Sequence, residues 1–210
     1  MYSDLEKTKA LMESDLLDTQ PEKMFDDIAQ IASKVCEMRM AVVSLFGVDR
    51  QFFKSNLGLN IRETHIEQSF CRVAVQNPDD VLILEDARID ERFKDSPLVQ
   101  GYPKIVSYYG VSLISKDEIS YGTLCVMDSG VKILNEEQKQ QLLKLSKQVE
   151  HLIELKVTNK LLNDSQAIIQ IYSKQMEEFD YLAAHDLKAP IRAIDSFTKL
   201  IEKNIINYGT

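Results

Sequence analysis

The sequence predicts an α+β fold, an antiparallel sheet flanked by helices and followed by one very long helix. Three observations lead there. Short apolar runs rich in β-branched and aromatic residues recur between turn signals as far as about residue 133. From about residue 135 to Asn207 a helical pattern is interrupted only by Pro190. The 7 Gly and 5 Pro among 210 residues are about half of average usage, too few breakers for the many tight turns of an all-β sandwich.

The elements follow in order. Thr19-Gln20-Pro21-Glu22 has the spacing of a capping box, and the helix it opens places Phe25, Ile28, Ala29, Ile31, Ala32 and Val35 near one face. Met40–Phe46 and Gln51–Ser55 flank Gly47-Val48-Asp49-Arg50, a hairpin signal. Val81–Leu84, Ile105–Ile114 and Tyr121–Met127 are the other predicted strands, the last two separated by a turn at Lys116-Asp117-Glu118. In Met40–Phe46 and Tyr121–Met127 both alternating sets are largely apolar, which predicts strands covered on both faces.

Asn135 and Gln138 form a second capping box. The helix beyond it, ~70 residues and roughly 100 Å long, would expose its apolar stripe if it stood alone. Leu142, Leu145, Val149 and Leu152 follow a 3-4 spacing, as do Leu162, Ser165, Ile169, Tyr172, Met176, Phe179 and Ala183, which predicts a homodimer through a parallel coiled coil. Extending the first run by sevens reaches Lys156, whereas the second counts back to Leu155, so the register slips by one residue. Two readings of the slip stay open: a helix that bends or dimerises only after leaving its domain, and an imperfect seam that changes rotation or pitch.

Charge and composition narrow the function. Lys and Arg number 25 against 33 Asp and Glu, a net charge of −8, which argues against gripping phosphate backbones and so against nucleic acid. No apolar run approaches the ~18 residues of a membrane span, and the N-terminus MYSDLEKTKALMESDLLD lacks the apolar core of a signal peptide. Cys36, Cys71 and Cys125 are odd in number, widely spaced and without a CxxC. They read as reduced thiols of a cytoplasmic protein, and no metal site is expected.

Of three histidines, His65 falls in a polar loop and His151 within the long helix, and both read as surface or boundary residues. His185 stands in FDYLAAHDLKAPIRAI. At ~100° per residue, Leu187, Ile191, Ile194, Ile201 and Ile205 cluster opposite it, while Arg192, Ser196 and Lys199 share its face. A solvent-facing neutral imidazole is a competent nucleophile near pH 7. Asp186 is placed to take its proton or a hydrogen bond, and Lys188 and Arg192 to offset phosphoryl charge. Pro190 removes the helical partner of the Asp186 carbonyl and weakens the helix one turn beyond the histidine.

Phe179–Ile194, with HDLKAP at its centre, resembles the phosphoacceptor box of sensor histidine kinases. The resemblance implies that His185 is autophosphorylated, that Asp186 assists transfer, and that a response-regulator aspartate receives the phosphoryl group. That family often has Thr or Asn four residues after the histidine to position a water for phosphatase action; Ala189 here implies weak phosphatase activity or none. Nothing after His185 supplies a glycine-rich nucleotide loop or an Asp-x-Gly pair. ATP and Mg²⁺ are therefore expected only with a separate catalytic domain, and the chain alone should neither bind nor hydrolyse ATP.

Leu16 to Val149 resembles a GAF domain, through LLDTQPEKMFDDIAQIAS, DRQFFKSNLGL, SFC, DARIDERFKDSPLVQGYP, GTLCVMD and LNEEQ in that order. The resemblance implies helices on one side of the sheet and, on the other, a loop-roofed cavity for an unidentified small-molecule ligand. Phe53, Cys71 and Tyr109 are the candidate cavity residues; Tyr108 and Tyr109 point to opposite faces of one strand, so at most one of them lines it. Ile105-Val106-Ser107-Tyr108-Tyr109-Gly110 lacks the Arg often found in the related strand. A bilin-attaching Cys setting and the Asn-Lys-Phe-Asp-Glu pattern of cyclic-nucleotide binders are also absent. The expected organisation is a GAF-like sensor over residues 1–150, a coiled-coil linker over 151–178 and a partial dimerisation and histidine phosphotransfer helix over 179–210. The sensor would control ATP-dependent autophosphorylation of His185; the alternative is a non-catalytic ligand-binding or dimerisation module in which His185 is incidental.

Overall fold

The computed structural model describes residues 16–66, 69–75, 81–116, 118 and 120–208, with backbone alone from 202 onward. The N-terminal segment through Asp15, Asp117 of the expected turn and the Ile205 side chain lie outside the described residues. The elements are α1 (Lys23–Val35), β1 (Met40–Phe46), β2 (Arg50–Leu57), β3 (Glu63–His65), α2 (Cys71–Ala74), β4 (Val81–Leu84), α3 (Pro97–Gln100), β5 (Ser107–Ile114), β6 (Ser120–Asp128) and α4 (Glu136–Tyr208). The six strands form one sheet in the order β3-β2-β1-β6-β5-β4, each pair antiparallel.

Strand alternation divides the core into two layers. Val43, Leu45, Tyr109, Val111, Leu113, Leu124 and Val126 meet Phe25, Ala29 and Ala32 of α1 and Leu142, Val149 and Ile153 of α4. Val42, Tyr108, Cys125 and Met127 face the opposite way, toward Phe70, Cys71, Phe93, Val99 and Ile105 from the loops and short helices. The central strands are therefore covered on both faces, as their continuous apolar pattern predicts. Asp128, at the end of the GTLCVMD segment, is buried and holds Arg39 through Nε at 3.0 Å and Nη2 at 2.8 Å while accepting from Gly130 N at 3.0 Å. This pins the end of β6 to the entry of β1.

The structure corrects several expectations. The Thr19–Glu22 box does not form: Glu22 is itself the N-cap of α1 and makes no side-chain cap. Thr19 instead donates to Leu16 O at 3.2 Å and accepts from Lys54 Nζ, and the Glu22 carboxylate is taken by Lys54 at 2.6 Å and by Lys156. A buried ammonium claims the oxygens that local pairing would have used. The Asn135–Gln138 box does form, with reciprocal bonds of 3.0 and 2.8 Å. His65 lies in a short strand rather than a loop.

The first apolar run of α4 packs on its own sheet. Leu142, Val149 and Ile153 are fully buried there, with Leu145 and Leu152 half-buried beside them. The chain separates into two compact units, one ending at Leu161 and one beginning at Leu162. The register slip precedes that boundary: Leu155 is exposed, while Val157 beyond it still packs against the core of the first unit. In the second unit α4 continues through Pro190, and Ile169, Tyr172, Met176, Phe179, Leu187, Ile191, Ile194 and Ile201 are exposed.

Candidate functional site: a two-thiol cavity and an exposed His-Asp pair

The loop-covered face of the sheet encloses a cavity lined by Val42, Gln51, Phe53, Phe70, Cys71, Tyr108, Cys125 and Met127, together with residues of the covering loops. The space open to water centres is about 30 Å³, enough for about two oxygen-sized centres. Among the described residues no charged side chain lines it. Its polarity comes from neutral groups arranged around one sulfur. Gln51 Nε2 donates to Cys71 Sγ at 2.8 Å, Tyr108 OH lies 3.2 Å from the same atom, and Ser44 Oγ lies at 3.8 Å. Gln51 Oε1 accepts from the hydroxyls of Ser69 and, at 3.5 Å, Thr64, and Ser69 Oγ accepts from Cys71 N at 3.0 Å.

These contacts set the acidities. Burial opposes ionisation of Cys71, but its hydrogen-bonding neighbours, Cys125, Thr123 and Tyr108 first, outweigh it and bring the thiol down to about 5. Its hydrogen bond to Cys71, together with burial, pushes the Cys125 thiol well up, and burial does the same to the Tyr108 phenol. Cys36 sits in the other core layer, where burial alone pushes it up to about 11.

Of the three expected cavity residues, Phe53 and Cys71 line it and Tyr109 does not. Tyr109 faces α1 and α4, where its hydroxyl donates to Lys132 O and accepts from Leu134 N, both at 3.1 Å, holding the segment that leads into α4. Tyr108 takes the cavity position because it pairs with Met127, while Tyr109 pairs with Val126 on the helix-covered face. The available signal was Gly110, over which the Tyr108 ring folds; a Cβ there would collide with the phenol oxygen. Phe70 stacks on Tyr108 with centroids 5.0 Å apart. Gln51, Ser69, Tyr108 and Cys125 also line the cavity and were missed.

On the helix-covered side of β2, Lys54 is fully buried, pairs with Glu22 and lies 5.6 Å from the Phe25 ring centre. Glu22 in turn binds Lys156 of α4, and burial of its carboxylate is outweighed by Lys156 and Lys54, which lower its pKa. The tip of the β5–β6 hairpin holds the same stretch of α4 through Lys116–Glu154 at 2.9 Å and Ile114 N to Glu150 at 3.0 Å.

In the second unit His185 Nδ1 lies 3.2 Å from Asp186 Oδ1, with the two side chains 71% and 82% exposed. Lys199 pairs with Asp195 at 2.7 Å, and Ser196 and Thr198 donate back to the carbonyls of Arg192 and Ile194. Among the described residues no helix is long and apolar enough to cross a membrane.

Known proteins place this architecture. The chain is 35% identical over 113 residues to a cyclic di-GMP phosphodiesterase of Pseudomonas aeruginosa, a match covering 54% of this chain and 19% of that protein. It thus spans about a fifth of the length of that curated relative. The GAF domain of an Acinetobacter phosphoenolpyruvate-protein phosphotransferase superposes with a TM-score of 0.55 at 17% identity, covering 73% of this chain and 95% of that one. A type II free methionine-R-sulfoxide reductase of Thermoplasma acidophilum superposes at 0.52 with 11% identity, covering 62% and 89%. At such identities the likeness is one of fold. The GAF domain model matches residues 20–153, the stretch that builds the sheet, its cavity and the sheet-bound part of α4, and the chain belongs to the GAF domain family.

Proposed function

We propose that this chain is the sensor and phosphoacceptor portion of a cytoplasmic two-component sensor histidine kinase, a homodimer whose GAF cavity controls phosphorylation of His185. The observation that carries the reading is the HDLKAP segment on the helix that leaves the GAF core, with an exposed imidazole held against Asp186 at 3.2 Å. Asp186 keeps Nδ1 engaged and orients the ring, and an exposed Nε2 is then free to attack phosphorus. The exposed apolar stripe beyond Leu162 supports pairing of two copies through a parallel coiled coil, with its register beginning where the sheet ends. The acceptor of the phosphoryl group would be a response-regulator aspartate.

A second reading is favoured by the relative in Pseudomonas aeruginosa, which carries a related sequence in a cyclic di-GMP phosphodiesterase. In that reading the chain is a GAF regulatory module for another output, and His185 is incidental. One experiment separates them. The chain is incubated with labelled ATP and an isolated histidine-kinase catalytic domain. Acid-labile, base-stable label at His185, lost in His185→Ala, is expected; label absent from the wild-type chain refutes the kinase reading.

A further inference from the structure

Two thiols face one small cavity, and nothing in the phosphoacceptor reading uses either. Gln51 Oε1 is occupied by the Ser69 and Thr64 hydroxyls, so its amide N–H must point at Cys71 Sγ, 2.8 Å away. Tyr108 OH approaches the same sulfur at 3.2 Å. A sulfur met by an obligate amide donor and a phenol, with no competing anion lining the cavity among the described residues, is an acceptor site, and hydrogen bonds received there favour the thiolate. Cys125 lines the same cavity and shares the hydrogen-bond cluster of Cys71 and Tyr108. The free volume of about 30 Å³ matches two oxygen-sized centres, and the neutral walls suit an uncharged reactant.

We propose that Cys71 and Cys125 form a two-thiol site that reduces a small uncharged peroxide. The Cys71 thiolate attacks one oxygen of HOOH, the O–O bond breaks, and the leaving hydroxide takes up the proton Cys71 released on ionising, giving a sulfenic acid and water. The Cys125 thiol then attacks the Cys71 sulfur; an S–S bond forms and the second oxygen leaves as water. The two thiols together supply the two electrons that reduce the peroxide. Cys71 is the nucleophile, Cys125 the second thiol, and Gln51 a positioning residue. The site is independent of whether His185 is phosphorylated.

Cys36 is an internal control, buried without such donors. With thiols at about 5 and about 11, thiolate fractions at pH 7 differ by about 10⁴. The lower intrinsic nucleophilicity of the more acidic thiol returns about 500 of that, leaving Cys71 roughly twentyfold faster. The test treats the full chain with hydrogen peroxide, blocks remaining thiols and maps the three cysteines by mass spectrometry. A Cys71–Cys125 bond is expected, with Cys36 still reduced. In Cys125→Ser the reaction should stop at a dimedone-trapped sulfenic acid on Cys71, and in Cys71→Ser residue 125 should stay reduced. Gln51→Leu should slow oxidation and raise the apparent pKa of Cys71 alkylation, a shift that a purely structural role would not produce. Cys71 oxidised no faster than Cys36 in the wild-type chain overturns the proposal whatever the variants do.

Discussion

Glu22→Gln tests whether the sheet holds α4 through a shared carboxylate. Glu22 is 25% exposed and stands between Lys54, which is fully buried, and Lys156, which is 30% exposed. Removing the charge leaves the Lys54 ammonium facing neutral groups alone, the substituted amide oxygen and the Thr19 hydroxyl, with the Phe25 ring at 5.6 Å. Breaking a buried pair costs about 3–5 kcal/mol, since the remaining charge stays desolvated. The partial exposure of Glu22 and those remaining neutral contacts put the cost at the lower end, about 3 kcal/mol. For a domain of this size that lowers the midpoint of thermal unfolding by roughly 6–12 °C. Lys156→Met removes a more exposed pair and should cost under about 1 kcal/mol. The double variant Glu22→Leu with Lys54→Met should recover most of the loss, because no unpaired charge remains. The assay is calorimetry of the full chain, read at the transition of the sheet. A loss below about 1 kcal/mol for Glu22→Gln would refute the reasoning, as would a double variant no more stable than the single.

The other predictions concern the cavity and pH. Gly110→Ala puts a methyl group into the Tyr108 ring, so a destabilisation of about 1–3 kcal/mol is expected in urea titration, with slower Cys71 oxidation. Glu22 and Asp128 both have folded-state pKa values below the ordinary 4.5 and 3.8. Their contribution is therefore present above those values and lost as pH falls through the lowered ones. Between pH 9 and 5 the unfolded Cys71 thiol holds a proton that the folded thiolate does not, so the urea midpoint should fall from pH 7 to 5 in the wild type and hold in Cys71→Ser. Below about pH 4 it should fall in both, with a shallower fall in Glu22→Gln; an unchanged slope in that variant would remove Glu22 from the acid transition.

Most of the sheet was legible because strand signals are local: β-branched and aromatic residues between turn residues mark β1, β2, β5 and β6 within a residue or two. The two capping boxes show the limit of local reading. Asn135 and Gln138 have no stronger partner and satisfy each other. Thr19 and Glu22 have the same spacing, but a lysine 32 positions beyond Glu22 is buried against them and wins. Alternation showed that Tyr108 and Tyr109 face opposite ways, yet only the pairing with Met127 and Val126 decides which meets the cavity. The run from Leu142 to Leu152 was read as coiled coil because a helix on a sheet and a helix on a helix demand the same spacing.

The strand β2 puts these pieces in line. Gln51 and Phe53 face the cavity, and the next residue, Lys54, faces the other side and grips Glu22, which grips Lys156 on α4. Oxidation of Cys71 takes away the acceptor of the Gln51 amide, so the redox state of the cavity acts directly on this strand. A cavity can regulate α4 only if its two states bind the helix differently, and Lys54–Glu22–Lys156 is a contact through which that difference can act. Amide hydrogen exchange over residues 150–160 should therefore change between the reduced chain and the Cys71–Cys125 oxidised chain, and the change should shrink in Glu22→Gln. Equal exchange in both redox states of the wild type would show that the cavity is silent toward α4. A change that survives intact in Glu22→Gln would route the coupling through Lys116–Glu154 and the β5–β6 hairpin instead.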